Sequence, residues 1–258
     1  TMMAVGVFKQ QGNRATGTFL TATGDYRFLE GMVDDNKMIL STFDGGHAFL
    51  FKAKMNSDST LSGDFWSGKT WHETWTAVKN DSAKLPDATS LTYLKEGYSG
   101  IDFQFPNLDS VLISPTDEQF KNKVLVLQIF GTWCPNCMDE TKFLSAWYND
   151  NKERDVAILG MAYEIKDDFD YAKSRVLRMK EKLNVSYDYV IAGTSDKAEA
   201  SKTLPMLNQI ISFPTTIFID KKGEVRKIHT GFSGPGTGDQ YEQFIKDFNE
   251  TVDLLMQE

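Results

Sequence analysis

From residue 4 to residue 79 the chain runs in short stretches rich in aromatic and β-branched side chains. They fall at 4–10, 15–22, 26–33, 37–43, 48–54 and 71–78. Turn-forming clusters separate them: Gln11-Gly12-Asn13, Gly24-Asp25, Asp34-Asp35-Asn36, Asp44-Gly45-Gly46 and Asn56-Ser57-Asp58. Strands at this regular spacing predict an all-β antiparallel domain over 1–79, built as a barrel, half-barrel or sandwich. Gly17-Thr18-Phe19 is echoed by Gly63-Asp64-Phe65, a hint of repeated strand geometry too short to be a repeat. A polar stretch with Pro86, residues 80–99, predicts a linker.

The pattern then changes. A β-rich start at Ile101-Asp102-Phe103-Gln104-Phe105-Pro106 leads through Val111-Leu112-Ile113 into an alternation of strand and helix from Lys123 on, which marks 100–258 as α/β. Val124-Leu125-Val126-Leu127-Gln128-Ile129-Phe130 reads as a buried strand. Residues 135–150 carry Phe143, Leu144, Trp147 and Tyr148 on one helical stripe. A strand at 156–163, a helix at 166–183, a strand at 187–192 and a helix at 196–204 follow. The runs 215–220 and 224–230 flank Lys221-Lys222-Gly223 as a hairpin. The last helix, 238–256, has Tyr241, Phe244, Ile245, Phe248, Val252 and Leu255 as its apolar stripe.

Length and charge narrow the function classes. A chain of 258 residues suits two domains. Its formal net charge of −8 argues against a nucleic-acid binder, which needs a basic face for phosphates. No apolar run approaches the ~18 residues that would span a bilayer. The start, Thr1-Met2-Met3, lacks the pattern of a signal peptide, and a processed N-terminus would read the same way.

Only two cysteines occur, so no disulfide framework holds the fold, and both lie in Gly131-Thr132-Trp133-Cys134-Pro135-Asn136-Cys137-Met138-Asp139-Glu140. Disulfide exchange needs a thiolate, an accessible sulfur and a second thiol to release the mixed disulfide. A strand-to-helix junction supplies these: Cys134 falls at the exposed N-cap, where orphan amides and the helix dipole favour negative charge, and Cys137 lies one turn in and more buried. Cys134 is therefore the attacking sulfur and Cys137 the resolving one. Pro135, at the first helical position, suits the turn but removes one amide, leaving Asn136 and Cys137 as donors. Glu140 shares a helical face with Cys137. It reads either as a proton relay with a raised pKa or, like Asp139, as a favourable charge in the first turn. Pro214, before an apolar strand, reads as an edge device or as a cis peptide in a tight turn.

Other signals carry less. Three histidines, His47, His72 and His229, are too dispersed in sequence for a zinc site. Gly63-Asp64-Phe65-Trp66-Ser67-Gly68-Lys69-Thr70 spells a phosphate-binding loop, but strand-like alternation follows it instead of a helix, so it reads as a β-turn. Phe65, Trp66, Trp71 and Trp75 read as core packing and strand-end caps, with a ligand pocket as the alternative. The glycine-rich 231–238 reads as a connection into the last helix.

Trp133-Cys-x-x-Cys137 after a buried strand, with Phe213-Pro214-Thr215-Thr216 before a later one, resembles the paired signature of the thioredoxin superfamily. More narrowly, residues 100–258 are similar to the TlpA/ResA family of envelope thiol–disulfide reductases. The leading Ile101–Asp109 segment, Gly131-Thr132-Trp133-Cys134 with Glu140, and an inserted segment around 165–212 carry that likeness. The resemblance implies a thioredoxin-like domain with a central mixed sheet flanked by helices, and no cofactor beyond the redox-active Cys134–Cys137 pair. It implies that Glu140 is the acidic residue near the active site and that Pro214 is cis and faces the cysteines. It also implies that Trp133, Pro135, Phe213 and Pro214 bind substrate, with the Phe213 backbone pairing to the substrate segment. Disulfide-containing protein substrates, an upstream thiol electron donor, and a periplasmic or envelope-anchored location follow from the same likeness.

The chain departs from the family in three places. Its proline follows the first cysteine, giving Cys-Pro-Asn-Cys, and leaves an oxidant or isomerase of protein disulfides as the alternative to a reductase. Gln128 stands where thioredoxins carry a buried Asp. The first 80 residues lie outside the family core, and a redox domain tethered to a ligand- or partner-binding β module is the reading from another class. A peroxidase of the peroxiredoxin type is disfavoured, because Thr132-Trp133-Cys134 has the wrong spacing and no distant cysteine exists.

Overall fold

The computed structural model describes residues 3–57 and 59–258. Thr1, Met2 and Asp58, the last being part of the turn cluster predicted at 56–58, lie outside the described residues. Two units divide the chain, residues 1–85 with 233–242 and residues 86–232 with 243–258.

In the first unit, β1 (Ala4–Gln11), β2 (Arg14–Thr21), β3 (Gly24–Asp25), β4 (Leu29–Asp34), β5 (Lys37–Phe43), β6 (Ala48–Ser57), β7 (Thr60–Ser67) and β8 (Trp71–Val78) form one antiparallel sheet. Its order is β1-β2-β4-β5-β6-β7-β8, with β3 on β2, so β1 and β8 are free edges and the architecture is a half-barrel. The sheet curls on an aromatic core. Phe19 on β2 and Trp75 on β8 meet with ring centroids 5.5 Å apart across four intervening strands. Phe51 lies 4.8 Å from Phe19 and 4.4 Å from Phe65, and Ala15, Leu29 and Leu40 complete the buried cluster.

Strand β7 is absent from the sequence pattern because Ser62, Gly63 and Asp64 interrupt its apolar alternation. The structure gives Gly63 a reason: a Cβ there would lie 2.0 Å from the Lys52 carbonyl oxygen. Gly17 is in the same position relative to the Val7 carbonyl oxygen, also at 2.0 Å, so the Gly-x-Phe echo marks two places where strands approach closely and a core phenylalanine follows. The stretch spelling a phosphate loop divides between β7 and the turn Gly68-Lys69-Thr70, with Gly68 at φ 64°. Phe65 and Trp75 pack inward, whereas Trp66 stacks on His72 at 5.0 Å and Trp71 is exposed. Replacing Phe51 by alanine is expected to destabilise this unit by about 3–5 kcal/mol, as for other large core truncations. Urea unfolding of the full chain checks it, and a loss of only a few tenths would rule out the ring cluster as the organising core.

The second unit begins within the stretch that reads as a linker. Asp87 caps α1 (Ala88–Leu91), and Tyr93 exchanges hydrogen bonds of 2.9 Å with Asn208 through its amide and carbonyl. Lys95 N–H donates to the Met206 carbonyl at 2.8 Å. These residues are polar because their partners are polar, and the segment from Pro86 is tied down. A short hairpin of β9 (Phe105–Pro106) and β10 (Leu112–Ile113) precedes the main sheet.

That sheet contains β11 (Val124–Phe130), β12 (Val156–Glu164), β13 (Asp188–Thr194), β14 (Thr215–Ile219) and β15 (Val225–Thr230) in the order β13-β12-β11-β14-β15. β11, β12 and β13 are parallel, and β14 and β15 are antiparallel. The helices are α2 (Pro135–Asp150), α3 (Phe169–Lys182), α4 (Lys197–Thr203) and α5 (Asp239–Gln257). This is the thioredoxin-like α/β architecture, and α3, β13 and α4 fall within the stretch around 165–212. The α2 and α5 stripes meet through Phe143 and Trp147, each 5.1 Å from Phe248, and Trp147 Nε1 donates to Asn249 Oδ1 at 2.8 Å. β11 is buried at every position, so the helix that follows it is launched from the middle of a fixed sheet.

Candidate active site

The chain leaves β11 at Gly131, where a Cβ would stand 2.2 Å from Trp133 Nε1. Glycine therefore lets the indole fold back, and Nε1 donates to the Tyr163 carbonyl oxygen at 2.9 Å. Cys134 is the N-cap of α2 with extended backbone, and Pro135 follows at the first helical position. Cys134 Sγ accepts from the Cys137 amide at 3.4 Å and donates to the Phe213 carbonyl oxygen at 3.4 Å. It is 7% exposed, so this sulfur lies beneath the Phe213 carbonyl and is less open than an N-cap position by itself implies. Cys137 has no exposed surface.

The two thiols are displaced in opposite directions. Hydrogen bonding from the Cys137 side chain, and then from the backbone amides of Cys137 and Asn136, holds the Cys134 thiol below its ordinary value, against burial and the nearby Glu140 charge. Burial, reinforced by Cys134, pushes the Cys137 thiol well up. Both are free thiols here.

Glu140 is fully buried. Asp139, itself largely buried, pairs with the exposed Lys142 at 2.9 Å. Glu140 Oε1 accepts from Thr216 Oγ1 at 2.6 Å and Oε2 from Gln128 Nε2 at 2.8 Å. Burial lifts this carboxyl to about 7 despite those two bonds.

The Phe213–Pro214 peptide is cis, and the Phe213 ring stands edge-on to Trp133 at 5.6 Å. The structure thus gathers Trp133, Cys134, Pro135, Cys137, Glu140, Phe213 and Pro214 at the end of β11. Sequence reasoning omits two members of this neighbourhood. Thr216 is one, legible only as the second position of the strand after Pro214. Glu164 is the other: fully buried at the end of β12, it accepts from the Thr132 amide at 2.8 Å and from the Thr132 hydroxyl at 2.9 Å. Burial raises its carboxyl, opposed by Thr132 and by Arg175. Its signal in the sequence is a lone carboxylate closing an otherwise apolar strand. Among the described residues no cluster of three or more His, Cys, Asp or Glu is placed to hold a metal ion.

A model of the Redoxin family matches residues 82–245. The chain belongs to the Redoxin family. Two curated relatives of this redoxin carry the name thiol-disulfide oxidoreductase ResA. The protein from Halalkalibacterium halodurans is 25% identical over 158 residues, covering 61% of this chain and 77% of the relative. The protein from Bacillus thuringiensis subsp. konkukian is 29% identical over 130 residues, covering 50% of this chain and 65% of the relative. Among solved structures, a thiol-disulfide oxidoreductase from Bacteroides fragilis NCTC 9343 overlaps 58% of this redoxin and 99% of its own chain, at TM-score 0.44 and 21% identity. A thioredoxin-family thiol:disulfide interchange protein from Chlorobium tepidum TLS overlaps 63% and 98%, at TM-score 0.47 and 18% identity. The half-barrel, up to residue 81, lies outside the matched region of this redoxin.

Proposed function

We propose that this redoxin is a thiol–disulfide oxidoreductase that reduces disulfides in protein substrates. The observation that carries the reading is the geometry of the pair: Cys134 caps α2 with the Cys137 amide on its sulfur, Cys137 lies fully buried one turn in, and the buried Glu140 carboxyl follows on the same helix. The Cys134 thiolate attacks one sulfur of a substrate disulfide, forming a mixed disulfide and expelling the other sulfur as a thiolate. Cys137 then gives its proton to Glu140 and attacks Cys134 Sγ. The Cys134–Cys137 bond forms, the bond to substrate breaks, and two electrons have passed to the substrate. A thiol electron donor must reduce the pair again.

Phe213 and cis Pro214 shape the groove. A substrate backbone N–H pairing with the Phe213 carbonyl would take the place of the Cys134 thiol hydrogen bond. A place in the cell envelope rests on the likeness to the TlpA/ResA family stated from the sequence, and no helix of the described residues is long and apolar enough to cross a membrane.

The test is Cys137→Ser, which removes the resolving thiol and leaves the attacking one. Incubated with insulin or an envelope extract, the reduced variant should accumulate substrates disulfide-linked to Cys134 that the unmodified protein releases. A variant that forms no such adducts removes the assignment of roles.

A further inference from the structure

Gln128 lies on the central strand β11 with no exposed surface. A side-chain amide has two unlike faces, and both are engaged. Nε2 donates to Glu140 Oε2 at 2.8 Å, and lies 3.1 Å from Thr141 Oγ1 and 3.5 Å from the Cys137 carbonyl oxygen. Oε1 accepts from Thr141 Oγ1 at 3.2 Å and from the Tyr187 hydroxyl at 3.4 Å. Only the N–H face of an amide can meet a carboxylate. Thr141 Oγ1 reaches both faces and a hydroxyl can donate or accept, so the Glu140 carboxylate itself selects the orientation with Nε2 toward it, and the Tyr187 and Thr141 hydroxyls satisfy the oxygen that then faces away.

We propose that Gln128 is a positioning residue for the resolving step: together with Thr216 it fixes the Glu140 carboxylate beside Cys137 and sets the pH at which that carboxylate takes the Cys137 proton. The proposal rests on the thiol–disulfide reading above. In the step it governs, the Cys137 S–H proton passes to Glu140, the sulfur lone pair forms the bond to Cys134 Sγ, and the bonding pair of the mixed disulfide leaves with the substrate sulfur. Each donor aimed at the carboxylate favours its charged, proton-accepting form.

The groups facing Glu140 are few. Gln128 comes from β11, Thr216 from β14, Cys134 and Cys137 from the start of α2, and Tyr187 from just before β13. Burial keeps the tyrosine neutral near pH 7, so the titrating neighbours are the thiols themselves. A carboxylate at position 128 would set a like charge against Glu140, and an apolar side chain would leave Oε2 unpaired in the interior. A glutamine avoids both.

The experiment follows the reaction of the reduced full chain with 5,5′-dithiobis(2-nitrobenzoate), in which resolution appears as the second release of thionitrobenzoate. Its rate is measured against pH. Gln128→Met keeps length and bulk and removes the amide. The acid limb of the profile, expected near 7 in the unmodified protein, should move up by about one pH unit, the tenfold effect of losing one hydrogen bond to a charged group. Thr216→Val should move it the same way and carries the test if Gln128→Met does not fold. In a Glu140→Gln background, Gln128→Met should produce no further shift. An unmoved limb in Gln128→Met or Thr216→Val, with the limb abolished by Glu140→Gln, overturns the positioning role and leaves Glu140 as proton acceptor. A limb that survives Glu140→Gln overturns both.

Discussion

Insulin reduction falls to the rate of the uncatalysed thiol when Cys134 is replaced by alanine. This is the largest functional effect expected of any single substitution, and the reason is positional. The Cys134 sulfur sits at the start of α2, where the Cys137 amide points at it. Helix-start amides and the dipole lower thiol pKa values by one to several units. Cys137 cannot take over: it has no exposed surface, and burial holds it in the thiol form. With Cys134 gone, neither a thiolate nor an accessible sulfur remains. The measurement is insulin turbidity with dithiothreitol as donor, comparing Cys134→Ala with the unmodified chain. Retention of activity in that variant would locate the chemistry elsewhere.

The second large effect concerns stability. Burial raises the folded-state pKa of Glu140 from the ordinary 4.5 to about 7. Below the unfolded value both states hold the proton and the group contributes nothing. Between 4.5 and 7 the unfolded chain releases a proton that the native state keeps, so stability falls as pH rises through this window. Above it the loss is complete, roughly 3 kcal/mol at 1.36 kcal/mol per unit. Glu140→Gln removes the ionisation, and its amide can keep both contacts by accepting from Gln128 Nε2 through its oxygen and donating to the Thr216 hydroxyl through its nitrogen. The variant should therefore gain on the unmodified protein by roughly that amount between acid and mildly alkaline pH. Glu164, also raised by burial, loses stability in the same direction, but it is present in both proteins and subtracts out. Urea unfolding under reducing conditions, at several pH values across the window, reads the difference. Parallel profiles for the two proteins would mean that Glu140 keeps an ordinary pKa.

A destabilising carboxyl next to a reactive dithiol fits the division of labour in the fold. The sheet and the α2–α5 aromatic contacts supply the packing, and the strand ends hold the polar groups that packing alone would exclude. Glu140 and Glu164 are held in this way, one by Gln128 and Thr216 and the other by Thr132 in the loop between β11 and α2.

The C-terminal architecture is legible in the chain because local rules and burial agree there. Val124–Phe130 is apolar at every position but Gln128, since β11 has neighbours on both sides, and α2 and α5 carry apolar stripes at helical spacing. Cys134 and Cys137 are legible for the same reason: the strand-to-helix junction that holds them, and that favours the Cys134 thiolate, is contiguous in sequence. Strand β7 is not legible, because Gly63 answers to the Lys52 carbonyl across the sheet and not to any property of its own segment. The tie between Tyr93 and Asn208 is hidden similarly, since it joins residues far apart in the chain.

The sequence by itself determined where the cysteine pair lies and that Cys134 meets the amide end of a helix. Three-residue spacing and an N-cap are local facts that survive without a fold. Only the tertiary structure decided that Cys134 lies under the Phe213 carbonyl, that Glu140 is buried and not solvated, and that Gln128 and Thr216 are its donors. Those contacts join α2 to β11 and β14, and burial is a property of the assembled sheet, so no window of the chain contains them.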